Sequence, residues 1–465
     1  MSDHAPQTAV DPSTGTTFAT YDAHDDAQLE ARVAGSWAAF QTWQDTSFER
    51  RAELLHAVAD ELEARRDELA PLMVREMGKT LGAAEGEVAK CAWVCRYEAD
   101  HGEAHLAHDR IDTDATASYV RFDPLGPLLA IMPWNFPLWQ VFRAFAPAVM
   151  AGNTVLLKHA SNVPGCALAI EEVVRAAGLP EHVLTTLLIG SDRVAAVIAD
   201  PRVRAVTITG SVPAGRKVAA AAGEHLKPSV LELGGSDPFL VLDDADVEVA
   251  ARVARDSRLL NNGQSCISAK RFVVVASVAD AFVEAFVAAC QGSVVGDPMD
   301  RDTTLGPLAR EDLRDDLHDQ VQRSLEQGAT LLTGGAVIDR PGYYYEATVL
   351  DHVTPQMAAG AEETFGPAAA ILRVADEDEA VRVANDTDFG LGASIWTEDL
   401  DRAERVAARI EAGCVFINEL VKSDPRVPFG GVKDAGYGRE LGSYGIRSFV
   451  NAKTVWVEGR AADRT

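Results

Sequence analysis

The chain has 465 residues, 47% of them hydrophobic, enough for two or three packed units with ordinary buried cores. Its 70 acidic residues against 43 basic ones leave a formal charge of −27. That balance argues against nucleic-acid binding, which needs a basic patch to neutralise phosphates.

The acidic residues are spread along the chain, as expected of a solvated surface suited to high salt, where screening relieves self-repulsion. The N-terminus, MSDHAPQTAVDPSTG, has neither a basic start nor an apolar stretch, so no secretory signal is expected. The most apolar region, PLGPLLAIMPWNFPLW, is interrupted by four prolines and Asn135, which disfavours a membrane span. A soluble, cytoplasmic protein is the expectation. The six cysteines form no disulfide framework. Cys91 and Cys95 share a face of an expected helix, but no second cysteine or histidine pair lies nearby to complete a zinc site, so no metal is expected.

In chain order, residues 46–78 carry Leu54, Leu55, Val58 and Leu62 at helical spacing, which predicts a helical opening. Residues 103–127 switch to shorter polar segments, with SYVRF as a strand. From about 128, apolar runs recur at LLAIM, TVLLK, VLTTLLI, AVTIT and SVLEL. Helix-like stretches separate them: FRAFAPAVMA, GCALAIEEVVRAAG, DRVAAVIA and AGRKVAAAAGEHL. Strands alternating with single helices imply parallel pairing through right-handed crossovers, a doubly wound α/β layout that binds ligands at the carboxyl ends of its strands. A second α/β region follows residue 240, with RFVVV, TLLTG, AAILRV and GASIW as strands.

Four stretches carry possible chemistry. Cys266 sits in NNGQSCISAKRF among small and polar neighbours, an unusual setting for a core cysteine; as a loop thiol it is either incidental or a nucleophile. Glu232 ends a strand in VLELGG, solvated or acting as a general base. Asn135 lies between Pro133 and Pro137, a rigid loop on which its amide could serve an oxyanion hole, while Trp134 and Phe136 could equally be core aromatics. In TITGSVPAGRK, Gly210 and Ser211 lead into a helix whose first turn holds Gly215, either a simple entry turn or a phosphate site.

Taken together the motifs resemble the NAD(P)-dependent aldehyde dehydrogenases. They are PWNF around Asn135, LLKHAS around Lys158, ITGS at Ile208–Ser211, LELGG around Glu232, GQSC at Cys266, EETFGP around Glu363 and PFGGVKDAGYGRELG from Pro428. The resemblance covers nearly the whole chain. It implies that Cys266 attacks the aldehyde, that Asn135 and the Cys266 N–H hold the oxyanion, that Glu232 activates the hydrolytic water, and that Glu440 relays protons behind the site. Glu363 would hold the nicotinamide ribose, Lys158 the adenine ribose, and Ser211 with Trp134 the pyrophosphate. Ser161, Gly210, Gly215, Leu233 and Phe365 complete the implied cofactor site.

The implied architecture is a Rossmann-type cofactor domain (1–102 and 127–235), an α/β catalytic domain (236–438) and a small β oligomerisation element (103–126 and 439–465), giving a homodimer or homotetramer. NAD-preferring members carry a glutamate three residues after the lysine; Ser161 stands there, so NADP is expected, with NAD also accepted. PWNFPLWQVFR, ELGGSDPF and VKSDPRVPFGG look most like the short succinate-semialdehyde dehydrogenases. Arg143 would then fork the substrate's distal carboxylate, with Ser423 and Arg426 on the far wall. Some members of that group place a second arginine where this chain has Leu260, and a second cysteine where it has Ser268, so no disulfide switch is expected. The rivals are a broad-specificity aldehyde dehydrogenase, an acylating member that releases its thioester to coenzyme A, and a binding protein on the same fold that has lost its chemistry.

Overall fold

Ser47 Oγ accepts the Arg50 N–H at 3.2 Å and starts helix Phe48–Ala64, which buries Leu54, Leu55, Val58 and Leu62. The structure is a computed structural model and describes residues 5–459. The first four and last six residues, which the expected domain limits include, lie outside the described residues. The helical opening is broken at Arg65 (φ −96°, ψ 13°), after which Arg66–Met77 forms a second helix. Leu81–His105 follows and packs across both. An antiparallel pair, Gln7–Asp11 with Thr16–Tyr21, and helix Asp26–Trp43 precede them. That pair was not expected. Part of what holds it is remote in sequence: Tyr343 N–H donates to Pro12 O at 2.9 Å.

The first large sheet runs in the order Gly436–Tyr437, Ser229–Glu232, Ala205–Thr209, Leu128–Met132, Val155–His159, Leu184–Thr186. All neighbours are parallel except Gly436–Tyr437, which comes from the far end of the chain. The chain winds outward from Leu128–Met132 in one direction and then returns to its other side. The switch point therefore lies where Met132 and Thr209 end their strands, and the loops after them carry PWNF and GS. VLTTLLI yields only Leu184–Thr186, because beyond it Leu188 bonds to His24, whose Nδ1 accepts the Leu188 N–H at 3.1 Å.

The second sheet runs Thr330–Thr333, Thr348–Asp351, Ala368–Val374, Arg271–Val275, Pro238–Val241, Gly392–Trp396, Cys414–Ile417, parallel except for its first pair. Pro238–Val241, Thr348–Asp351 and Cys414–Ile417 were not anticipated. They are four-residue runs, and the first two are buried on both faces, so neither length nor alternation marks them. Ala117–Pro124, the SYVRF strand, pairs with Val450–Val457 and with Asp109–Arg110 in a third, antiparallel sheet. Among the described residues no helix is long and apolar enough to cross a membrane.

Candidate active site

Helix Val247–Leu259 ends in a loop that presents Cys266. Asn261 (φ +56°), Asn262 (φ +59°) and Gly263 (φ +77°) turn the chain through three left-handed residues, a conformation asparagine and glycine tolerate best. Each asparagine is held by its side chain. Asn261 Nδ2 donates to Asn135 O (2.7 Å), and Asn262 Nδ2 to Gly78 O (2.8 Å), while Asn262 Oδ1 accepts the Gly306 N–H (2.9 Å). A Cβ on Gly263 would stand 2.3 Å from the Gly366 carbonyl carbon, so this turn lies flush against EETFGP. Beyond Cys266, Lys270 Nζ donates to the Ser265 and Cys266 carbonyls at 3.0 and 2.8 Å and pairs with Glu363 at 3.4 Å. Arg258 is wholly buried and bonds the Gly263 and Ala269 carbonyls. Neither Lys270 nor Arg258 was anticipated in the scaffold of this loop.

Asn135 reaches the same loop from the first sheet, with its Nδ2 donating to Gln264 O at 3.1 Å. Its own loop is pinned by His159, a residue the motifs pass over. His159 Nδ1 accepts the Ala160 N–H, which leaves Nε2 as the donor to Pro137 O at 2.8 Å. Burial lowers the His159 pKa to about 4, so that tautomer persists through the neutral range. Cys266 is half-buried and lines a cavity; desolvation pushes its thiol up to about 11, against the opposing pull of Lys270 and Arg143. Cys266 therefore rests as a thiol.

Glu232 closes its strand with both carboxyl oxygens buried and without a hydrogen-bond partner among the described residues. Burial, and then the Glu440 carboxylate, raise its pKa well above the usual carboxylate range. Glu440 itself forms a buried ion pair with Arg143 and accepts from Thr207 Oγ1 at 3.2 Å; Arg143 Nη2 donates to Thr209 Oγ1 at 3.1 Å. Glu232, without a partner among the described residues, is thus pushed toward its neutral form, and Glu440 near it is ion-paired with Arg143.

The cavity holding Cys266 has a volume of about 300 Å³ and is lined by Phe136, Trp139, Arg143, Ser423 and Phe429 among others. Lys90, which sequence reasoning did not single out, also lines it. A cation in an otherwise ordinary helix stretch carries no sequence signal; only the fold aims it inward. Arg426 lies elsewhere: its exposed guanidinium bonds Asp424 and stacks on Trp93 at 5.5 Å, and it is absent from the cavity wall.

A second cleft, of about 530 Å³, opens beside the first sheet and is lined by Lys158, Ser161, Gly190, Asp192 and Arg310 among others. Lys158 is buried there and makes no hydrogen bond or ion pair among the described residues, and desolvation lowers its pKa. Gly215 lies directly over Leu233, where a Cβ would meet Leu233 at 2.5 Å. Ser211 precedes helix Val212–Glu224 at its N-terminus. Glu363 Oε1 accepts the Gly235 N–H at 3.0 Å, and a Cβ on Gly234 would meet Glu363 Oε2 at 2.3 Å. Trp134 packs edge-on against Phe365, with ring centroids 5.7 Å apart. A buried cation without a partner among the described residues, lining one cleft with a serine hydroxyl, suits a phosphorylated, ribose-bearing cofactor, whereas Ser211 and its helix start are not part of that cleft's wall.

A sequence model of the family described as "Aldehyde dehydrogenase family" matches residues 1–455. Succinate-semialdehyde dehydrogenase (NADP(+)) 1 of Mycobacterium tuberculosis is 50% identical over 455 residues, spanning 97% of this chain and 100% of that protein. A protein of Paenarthrobacter nicotinovorans named only aldehyde dehydrogenase is 51% identical over 451 residues, 96% of this chain and 98% of its own length. The crystal structure of succinic semialdehyde dehydrogenase from Streptococcus pyogenes in complex with NADP+ superposes with a TM-score of 0.95. It is 40% identical and covers 97% of this chain and 100% of that one.

Proposed function

The chain belongs to the aldehyde dehydrogenase family, and from that premise we propose that it oxidises succinate semialdehyde to succinate, with NADP+ preferred and NAD+ also accepted. One observation carries the substrate reading. The nucleophile Cys266 stands in the wall of a small cavity that also contains the buried Arg143 and the partly buried Lys90, so a short aldehyde with a distal carboxylate complements both ends.

Cys266 Sγ bonds to the aldehyde carbon as the thiol passes its proton to water. The Asn135 amide and the Cys266 N–H hold the resulting oxyanion, the first of them already fixed by the Gln264 carbonyl. A bound nicotinamide cofactor would supply the acceptor for the hydride that has to leave the substrate carbon. Lys158, Ser161 and Ser211 would hold its phosphate and adenine-ribose end together with Gly210, Gly215, Leu233 and Trp134, and Glu363 with Phe365 would hold its nicotinamide end. Glu232 then takes a proton from the water that hydrolyses the thioester. It can do so only after losing its own, and Glu440 behind it is the group through which that proton leaves. Arg143 and Ser423 belong to the substrate wall.

The cofactor unit is assigned to residues up to 102 and 127–235, the catalytic unit to 236–438, and the oligomerisation element to 103–126 with the segment from 439. The outer edge of Val450–Val457 pairs with no strand among the described residues, which supports a homodimer or homotetramer built through it. All six cysteines are free, in keeping with a cytoplasmic enzyme.

The test is the rate of NADPH formation with succinate semialdehyde against butanal of similar length. A strong preference for the acid supports the reading, and Cys266→Ser should abolish both rates. Equal rates would make this a broad-specificity aldehyde dehydrogenase, the name carried by the Paenarthrobacter relative. Coenzyme A should leave the rate unchanged, since Glu232 is placed for hydrolysis; acceleration would identify an acylating enzyme.

A further inference from the structure

The helix Leu81–His105 turns Ala83, Gly86, Glu87 and Lys90 toward the cavity that contains Cys266, the spacing of a single helical stripe. A Cβ at Gly86 would meet nothing within 4 Å, so open space lies against this stripe. Four charged side chains line that cavity, and three of them are neutralised by a neighbour. Glu87 is ion-paired with buried Lys79 and also accepts the Leu138 and Trp139 N–H groups at 2.8 and 2.9 Å. Arg143 is ion-paired with Glu440. Lys422 is half-exposed and pairs with Glu419 at 2.9 Å.

Lys90 is the exception. Its ammonium donates to Ser423 Oγ at 2.9 Å and sits 4.2 Å from the Trp139 ring centroid, and it has no carboxylate partner among the described residues. Trp139 Nε1 also donates to Ser423 Oγ, at 3.1 Å, so the hydroxyl is held from two sides. An ammonium has three donors, and this one has a single acceptor among the described residues. Lys90 is partly buried, and a cation withdrawn from water without an anion carries a desolvation cost that is offset when a ligand brings the anion. Desolvation lowers the Lys90 pKa to about 8, as expected of an ammonium awaiting a counter-charge.

We propose that Lys90, held by Ser423 and Trp139, is the residue that receives the distal carboxylate of the substrate and so sets the preference for acid aldehydes. Arg143, its charge satisfied by Glu440, serves chiefly to hold that carboxylate behind Glu232. The inference rests on the reading of the substrate as an aldehyde with a distal carboxylate.

The experiment measures kcat and KM for succinate semialdehyde and butanal in the wild type, Lys90→Met, Lys90→Gln and Lys90→Arg. Loss of a charge-assisted hydrogen bond should raise KM for the acid by roughly 10- to 100-fold in the two neutral variants. Its kcat should stay within about threefold, butanal should be little affected, and Lys90→Arg should recover much of the preference. A readout independent of turnover accompanies it: succinate, but not butyrate, should protect wild-type Cys266 from alkylation, and the neutral variants should lose that protection.

Equal wild-type rates for the two aldehydes would overturn the substrate reading and this inference with it. A wild-type preference that survives in Lys90→Met or Lys90→Gln, but vanishes in Arg143→Gln, would overturn the inference alone and return the carboxylate to Arg143. Parallel losses for both aldehydes, with succinate protection intact, would reduce Lys90 to a structural role. If neither neutral variant folds, equal protection of the wild type by succinate and butyrate is the result that overturns the proposal.

Discussion

Arg143 and Glu440 form an ion pair inside the protein, both side chains almost fully buried and close enough to Glu232 for their charges to act on its carboxyl. The Glu440 charge is one of the two causes that hold Glu232 protonated, so its removal should lower the Glu232 pKa. In Glu440→Gln the acid limb of the pH profile for thioester hydrolysis should therefore move to lower pH. A limb that stays in place, measured by pre-steady-state turnover across pH 5 to 9, would separate Glu440 from the base.

Cys266 rests as a thiol with its pKa near 11. Below that value the thiolate fraction grows about tenfold per pH unit. In the enzyme without cofactor, alkylation of Cys266 by iodoacetamide should accelerate with that slope from pH 7 to 9 and show no plateau. A plateau below pH 8 would mean that Lys270 and Arg143 outweigh desolvation.

Ser161 lines the cleft that holds Lys158, which has no ion-pair partner among the described residues. A glutamate there would accept ribose hydroxyls and repel a 2′-phosphate, while the backbone has no reason to change because the side chain is exposed. Ser161→Glu should shift the ratio of kcat/KM for NADP+ over NAD+ toward NAD+ by roughly tenfold or more. An unchanged ratio would place the 2′-phosphate elsewhere in the cleft.

The formal charge of −27 predicts a salt response whose sign is set by competition. Exposed pairs such as Arg202 with Glu30 weaken in salt, whereas repulsion among the excess acids is relieved. With the excess dominant, the melting temperature should rise as KCl increases from 0.1 to 2 M. An unchanged melting temperature would show that the surface acids are too far apart to matter.

Much of the first sheet was readable because its strands are apolar runs separated by amphipathic helices, and periodicity reports that alternation directly. LLAIM, TVLLK and AVTIT all fall within one or two residues of their observed limits. Pro238–Val241 escaped because a four-residue strand buried on both faces has no period to show, and the N-terminal pair because its support comes from Tyr343. The candidate site divides in the same way. Cys266, Asn135 and Glu232 were legible as polar or nucleophilic side chains at strand ends and in glycine-containing loops. His159, Lys270 and Lys90 were not, because a lone histidine or lysine acquires meaning only from what surrounds it.

The order of residues alone determined the alternating α/β layout, the family and the set of groups able to do chemistry, since these depend on local pattern and side-chain type. Only the tertiary structure decided which charges are neutralised. Pairing Arg143 with Glu440 and leaving Lys90 without an anion among the described residues are outcomes of distances between segments far apart in the chain, and Coulomb interactions depend on separation in space rather than in sequence.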